Sequence, residues 1–241
     1  MKKRTSSGTL YDEQIATAHD YDRWFAQDTL GARWVRFWFA PNQTLFLNTP
    51  ARRLPRLLSL KPTDKLLDIG CGYGGLLIYL HRKVGFSQAM EGLDCSSLMV
   101  ARAREEFRAR GLEACARISH GLATRLPYPD ATFDVIVSTY VIKHLSDDLL
   151  GDMLAEAMRV LKPGGRLCLW EAAPSRNPYL HNFNVKLLKM GVSSAHLRTV
   201  GQLRAILELA GFRDLKPYGH GLYYYYPPLP RVGFIAVRPP V

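Results

Sequence analysis

The stretch Leu66-Leu67-Asp68-Ile69-Gly70-Cys71-Gly72-Tyr73-Gly74-Gly75 constrains this chain more than any other. A short apolar run that ends in glycines reads as a buried strand turning sharply into a helix. Glycine takes left-handed backbone angles without steric cost, and the missing side chain lets a ligand approach the backbone. Gly70, Gly72 and Gly75 also satisfy the G-x-G-x-x-G pattern of dinucleotide sites, so the glycines alone do not choose a ligand. Asp68 narrows the choice: a carboxylate at the strand's end repels a pyrophosphate and suits a positively charged amino group. Asp94, 26 residues further on, closes the next apolar run. A carboxylate there can accept hydrogen bonds from both hydroxyls of a ribose. Its other reading is N-terminal charge for a helix starting at Ser96.

From Lys65 onward short apolar runs alternate with helical patterns. Strands are expected at Lys65 to Ile69, Met90 to Asp94, Arg117 to His120, Phe133 to Ser138 and Arg166 to Glu171. Helices are expected at Leu76 to Lys83, Ser96 to Arg110 and Asp147 to Leu161, with Ser96 as an N-cap and Gly111 as a C-terminal stop. This alternation predicts a doubly wound α/β sheet with parallel strands, whose carboxyl ends share one ligand-binding edge. Beyond Glu171, Pro174 to Arg198 has no strand signal and reads as a helical lid over that edge. Thr199 to Ala210 reads as a helix. Strands around Phe212 to Tyr226 and Val232 to Val237, joined across a Pro-rich link, form an antiparallel hairpin. In the first of them Tyr223 and Tyr225 would share one face and Tyr224 and Tyr226 the other.

Composition is that of an ordinary globular domain, 47% hydrophobic and 22% charged over 241 residues, which excludes disordered and collagen-like chains. No apolar run reaches the roughly 20 residues of a membrane span, and the basic start leads into no signal-peptide stretch. The four cysteines stand singly, without a zinc or disulfide spacing, and His181, His196 and His220 show no ligand spacing, so no metal is expected. A cytoplasmic protein is the resulting expectation. Net charge is +11, and it sits at the ends: residues 1–62 carry +5 and residues 174–241 carry +7. That asymmetry fits an anionic partner or a solvated basic face. In the N-terminal segment Leu30, Trp34, Phe37 and Trp38 share a helical face, read as packing on the core or lid, the wall of an apolar pocket or a shallow membrane contact.

Four ordered motifs carry a family resemblance: Asp68 to Gly74; Gly92-Leu93-Asp94; Leu126-Pro127-Tyr128-Pro129-Asp130 with Phe133-Asp134-Val135-Ile136; and Leu161 to Leu167. Together, over about residues 60 to 172, they resemble the class I S-adenosylmethionine-dependent methyltransferases. The resemblance implies a mostly parallel seven-stranded Rossmann-like sheet with a C-terminal antiparallel hairpin. It divides the chain into a helical N-terminal extension (1–62) and a methyltransferase domain (63–241) with a lid at 174–198. It further implies S-adenosyl-L-methionine as cofactor: Gly70, Cys71, Gly72 and Gly74 around the methionine half, Asp68 serving its amino group, Asp94 holding the ribose and Cys95 packing beside the adenine. Thr139 would touch the cofactor through its backbone. Tyr21 resembles an N-terminal tyrosine lying over the methyl end, or else packs on the lid. One departure stands out. The family's acidic residue before Ala123 is here Leu122, so adenine selection would rest on the backbone of Leu122 and Ala123 and on apolar packing.

Methyl transfer needs an aligned nucleophile and exclusion of water, and a base only where the acceptor must lose a proton. His144 and Glu171, at the expected open edge, are the candidates for that role, each with a structural alternative. The segment Leu169 to Pro174 and the aromatic residues after it loosely resemble small-molecule enzymes acting on quinone precursors and other lipid-like acceptors. The expected acceptor is a small hydrophobic or anionic metabolite, with peripheral membrane contact as a further partner. RNA methylation, suggested by a pI near 9.6, ranks below it for want of an RNA-binding module or an Asn-Pro-Pro-Tyr-type motif. An inactive cofactor-binding scaffold is the third reading. Sequence does not fix the acceptor atom or the oligomeric state.

Overall fold

The computed structural model describes residues 7–30, 33, 37, 49–188, 195–218, 221–222 and 230–240. Strands β1 (Leu66–Ile69), β2 (Met90–Asp94), β3 (Ala116–His120), β4 (Phe133–Thr139) and β5 (Leu161–Ala172) are followed by β6 (Arg213–Pro217), β7 (Gly221–Leu222) and β8 (Pro230–Val237). They form one mixed sheet in the order β3-β2-β1-β4-β5-β8-β6, with the two-residue β7 also paired to β8. The pairs among β1 to β5 are parallel; β8 runs antiparallel to both β5 and β6. The order reverses direction between β2-β1 and β1-β4, the kind of switch point at which open α/β sheets bind ligands.

Helices cover the sheet: α1 (Ser7–Ala26), α2 (Gly75–Val84), α3 (Ser97–Arg108), α4 (Asp147–Val160), α5 (Pro178–Leu188) and α6 (Val200–Leu209). Successive residues of a strand enter opposite cores. Leu67, Ile69, Ile136, Leu167 and Leu169 join one cluster with α4 and α6, whereas Leu66, Val135, Val137, Cys168 and Trp170 join the other with α2 and α3. Burial on both faces explains why β1, β4 and β5 read as near-continuous apolar runs rather than alternating ones. Helix ends follow local chemistry. Ser96 caps α3 by accepting the Met99 N–H at 3.0 Å, and Thr199 forms a capping box with Gln202 at the start of α6.

The hairpin differs in detail from the sequence expectation. Its first strand divides into β6 and β7, and Tyr223 to Tyr226 lie outside the described residues, as do Trp34, Trp38 and His220. Strand β5 starts five residues early, at Leu161. Leu161 pairs with Phe133, and the Gly164 N–H and Gly165 carbonyl exchange hydrogen bonds with Arg238. Asp134 and Lys162, both in the recognised motifs, bind each other at 2.8 Å, and Asp134 also accepts the Lys65 N–H, so these two residues brace the sheet.

Candidate active site

At the carboxyl end of β1 the chain leaves the sheet through Gly70 and Gly72, with φ of +74° and +52°. A side chain at Gly70 would collide with Val141, 2.1 Å from its Cβ position, so this turn and the one after β4 lie against each other. Four of the turn's donors are spent internally. The Gly70 and Cys71 N–H groups donate to the Leu93 carbonyl, Gly72 to Asp94 Oδ2 at 2.9 Å, and Gly74 to the Cys71 carbonyl. A pyrophosphate-binding turn needs those N–H groups facing the ligand. Engaged in this way, these four N–H groups are not available to a pyrophosphate.

Asp68 stands beside this turn, 2% exposed, and its Oδ1 has no hydrogen-bond partner among the described residues. Burial, followed by the nearby charge of Asp94, pushes its carboxyl from an ordinary 3.8 up to about 8. A buried carboxylate oxygen without a partner is costly in a folded protein, and an ammonium group is the partner that would remove the cost. Asp94 is engaged differently: Oδ2 accepts Gly72 N–H, Oδ1 accepts Ser96 N–H at 2.9 Å, and burial still raises its carboxyl. A carboxylate has about four acceptor positions, so two backbone contacts leave room for ribose hydroxyls.

The N-terminal helix closes over this half. Asp22 accepts from the Ser96 and Ser97 hydroxyls, Gln14 Nε2 donates to Thr124 Oγ1 at 2.7 Å, and the Phe25 ring meets Tyr73 edge-on with centroids 5.9 Å apart. Phe25, Tyr73, Leu98 and Arg102 line part of a cavity of about 450 Å³ above the glycine turn. Tyr21 belongs to α1, but its side chain is outside the described residues. Cys71 is buried and Cys95 half-buried next to Asp94, and burial raises both thiols. Leu122 is half-buried in a short turn closed against Arg125, with Ala123 buried behind it. Leu30 and Phe37 are exposed, and so are Tyr179 and Phe183 on α5, within the expected lid.

The other half of the edge, beyond β4 and β5, holds residues that the sequence reading passed over. Thr139 ends β4. Tyr140 follows with φ +61°, a left-handed conformation rare for a bulky residue, and Lys143 and His144 occupy the next turn, Ile142–His144. Glu171 is 1% exposed and fully engaged: Oε2 accepts the Lys143 N–H at 3.2 Å, Oε1 accepts the Ala172 N–H at 2.7 Å, and Lys143 Nζ lies 3.5 Å from Oε1. Arg231, which pairs with Ala172 across the β5–β8 ladder, donates from Nε to the Tyr140 hydroxyl at 2.9 Å. His144 is buried. Desolvation, then the charges of Lys143 and His196, hold its imidazole well below 6.5. Arg198, the last residue of the expected lid, fastens its end to this turn, donating to the Ile142 and Leu145 carbonyls at 2.7 Å. Lys143 carried a signal only as a lone charge in an apolar run; Arg231 carried none, because its role depends on strand register.

Among the described residues no three His, Cys, Asp or Glu side chains gather as a metal site, and no helix is long and apolar enough to cross a membrane. A profile described as "Methyltransferase domain" matches residues 66–165. The demethylmenaquinone methyltransferase of Lactobacillus johnsonii is 30% identical over 177 residues, covering 66% of this chain and 71% of that protein. That of Bacillus cytotoxicus is 36% identical over 121 residues, half of each chain, so this chain spans only about half its length. The crystal structure of the YcgJ protein from Bacillus subtilis superposes with a TM-score of 0.64 at 19% identity, covering 80% of this chain and all of that one, a likeness that carries the fold. The glycine turn, the Asp68 Oδ1 without a partner among the described residues and the half-engaged Asp94 fit the methionine and ribose ends of S-adenosylmethionine. With a relative matched over most of its own length, these features make the chain a member of the class I S-adenosylmethionine-dependent methyltransferases.

Proposed function

We propose that this protein transfers a methyl group from S-adenosyl-L-methionine to a small, hydrophobic or anionic metabolite by in-line displacement. When bound, the cofactor supplies a methyl group already activated on a sulfonium. The chain's own work is to bind, orient and keep water out. Asp68 receives the amino group, Asp94 the ribose, and the carbonyl-bearing turn at Gly70 to Gly74 the methionine half. Thr139 flanks that half by its backbone, while Cys95, Leu122 and Ala123 form the adenine side. The single observation that carries this reading is the buried Asp68 carboxyl, whose Oδ1 has no hydrogen-bond partner among the described residues, beside a turn in which the Gly70, Cys71, Gly72 and Gly74 N–H groups are engaged.

Proton removal is a smaller part of the reading. Glu171 already accepts two N–H groups and faces Lys143, so it serves better as a positioning charge than as a base. His144 is neutral, but burial and Lys143 disfavour its imidazolium, which weakens it as a proton acceptor. An acceptor that arrives already ionised needs neither, and Tyr21 is left as a group for the methyl end. The demethylmenaquinone methyltransferases make a quinone-like acceptor the leading class. The exposed Tyr179 and Phe183, with the basic chain ends, fit a peripheral membrane contact. The four free cysteines fit a cytoplasmic location.

The test is to incubate the protein with methyl-labelled S-adenosylmethionine and a cell extract, then partition the label. Label in a small-molecule fraction supports the reading. Label released only by nuclease, or no transfer despite cofactor binding, overturns it.

A further inference from the structure

We propose that the exposed face of α5 docks on an anionic lipid bilayer, so that an acceptor dissolved in the membrane reaches the site from the lipid side. The use of that contact rests on the methyltransferase reading; its existence rests on the arrangement of α5. Asn177 caps the helix, its Oδ1 accepting the Tyr179 and Leu180 N–H groups at 3.0 and 3.1 Å. At 3.6 residues per turn, Tyr179, Asn182, Phe183 and Lys186 share one face. All four are exposed, Tyr179 at 87% and Phe183 at 47%. Leu180, His181 and Val185 lie on the other side of the helix and are half-buried. Arg176, also exposed, stands just before the cap, so the two aromatic residues have a cation at each end. A single exposed apolar side chain needs no explanation. Two aromatics on one helical face, bracketed by basic residues, are the pattern of a helix that lies in a membrane interface.

The charge of the segment selects the lipid. From Ala172 to Leu207 the sequence has no Asp or Glu, and it carries Arg176, Lys186, Lys189, Arg198 and Arg204. Arg198 is spent on Asp147 and on the turn after β4, and Arg204 lies against Glu208 and Phe234. Arg176 and Lys186 are the ones on the outside of α5. A face that joins aromatic side chains to cations and has no carboxylate in its own stretch of chain is complementary to anionic headgroups above an apolar interior. The face is also in the right place. The segment leaves the sheet at Ala172, the carboxyl end of β5, and Arg198 returns it to the Ile142–Leu145 turn after β4. Both of its ends are thus tied to the edge that holds Asp68 and the glycine turn. Leu30, 84% exposed and just beyond α1, adds an apolar side chain on this side, since Phe25 of α1 meets Tyr73 in that turn.

The experiment measures flotation of the full chain with vesicles of phosphatidylcholine alone and of equal parts phosphatidylcholine and phosphatidylglycerol. Binding to the mixed vesicles is expected, about tenfold or more above that to phosphatidylcholine alone. Tyr179→Ser with Phe183→Ser should weaken it by about tenfold or more, and Arg176→Gln and Lys186→Gln by about fivefold each. Arg82→Gln with Lys83→Gln is the control. It removes the same charge from exposed positions in the last turn of α2, which runs from the end of β1 back to the opposite edge of the sheet. Binding by that protein should stay within about twofold of wild type, an outcome that general adsorption of a chain of net charge +11 would not give. No binding to the mixed vesicles overturns the proposal. So do α5 variants that fold and bind S-adenosylhomocysteine normally yet float as wild type, or a control weakened as much as they are. A dimer in sedimentation that the two serine substitutions dissolve would assign the face to a second copy and overturn it as well. The vesicle assay needs neither cofactor nor acceptor, so its failure leaves the methyltransferase reading standing. Loss of S-adenosylhomocysteine binding in the wild type would instead sink that reading and leave the docking result in place.

Discussion

Asp68 and Glu171 each stand one residue before the end of a strand of the same sheet, on the same edge, and are almost equally buried at 2% and 1% exposure. Glu171 accepts two backbone N–H groups and faces Lys143. Asp68 has an oxygen with no partner among the described residues, and burial drives its carboxyl up to about 8. The same residue chemistry thus builds two kinds of half-site. One is a carboxyl with an open acceptor, which the proposed reading fills with a ligand's ammonium; the other is a carboxylate satisfied by two backbone N–H groups and Lys143. A buried acid by itself does not reveal a ligand, and what distinguishes the two is the accounting of donors around it.

Substitution at the two carboxylates should break this comparison with opposite signs. Glu171→Ala leaves Lys143 buried without its counter-charge and is expected to destabilise the fold by about 3–5 kcal/mol in denaturant melts. Asp68→Asn removes a group that resists ionisation, so the apo protein at pH 8 should be as stable as wild type or more so. Next in size is Gly70→Ala. Its new methyl group overlaps Val141 at a positive φ, and a loss of about 2–4 kcal/mol is expected. Val141→Ala in the same chain should recover part of that loss; no recovery would mean that the two turns are not in contact.

A pH series sharpens the contrast further. Asp68 has a folded-state pKa raised from 3.8 to about 8, so the unfolded chain gives up this proton first. Stability of the apo protein should fall as pH rises through that window, by up to about 1.4 kcal/mol per unit from this group. His144 acts the other way below 6.5, where the unfolded imidazole takes a proton that the buried one refuses. The Asp68 slope is therefore cleanest between about pH 6.5 and 8, and it should vanish in Asp68→Asn. The smallest effect is expected at Ser96. Loss of its cap on Met99 in Ser96→Ala should cost about 1 kcal/mol and, because Asp22 also reaches this hydroxyl, loosen α1 in hydrogen exchange.

These two half-sites also differ in how far the sequence disclosed them. Asp68, the glycines, Asp94 and the Ser96 cap belong to two consecutive strand–turn–helix units joined by parallel β1–β2 pairing, and each unit carries its own local motif in the sequence. The Glu171 half joins Tyr140 and Lys143 after β4, Trp170 and Glu171 on β5 and Arg231 on β8. Its assembly depends on an antiparallel register in which Arg231 falls opposite Ala172, and no local pattern states that register. For the same reason Leu161 looked like a helix end rather than the first residue of β5, since its partner, Phe133, lies on another strand. Glu171 and His144 were found as titratable groups at the correct edge, but their burial and neighbours, which decide what they can do, are tertiary facts.

The most direct test of the Asp68 half-site is calorimetric titration with S-adenosylhomocysteine at pH 7 in two buffers of different ionisation heat. Seating an ammonium against Asp68 should force its proton off, so the wild type is expected to release close to one proton per ligand bound. Asp68→Asn should bind at least tenfold more weakly and release almost none. Equal affinity and equal proton release in the two proteins would contradict the assignment of Asp68, and with it the account of this edge as a cofactor site.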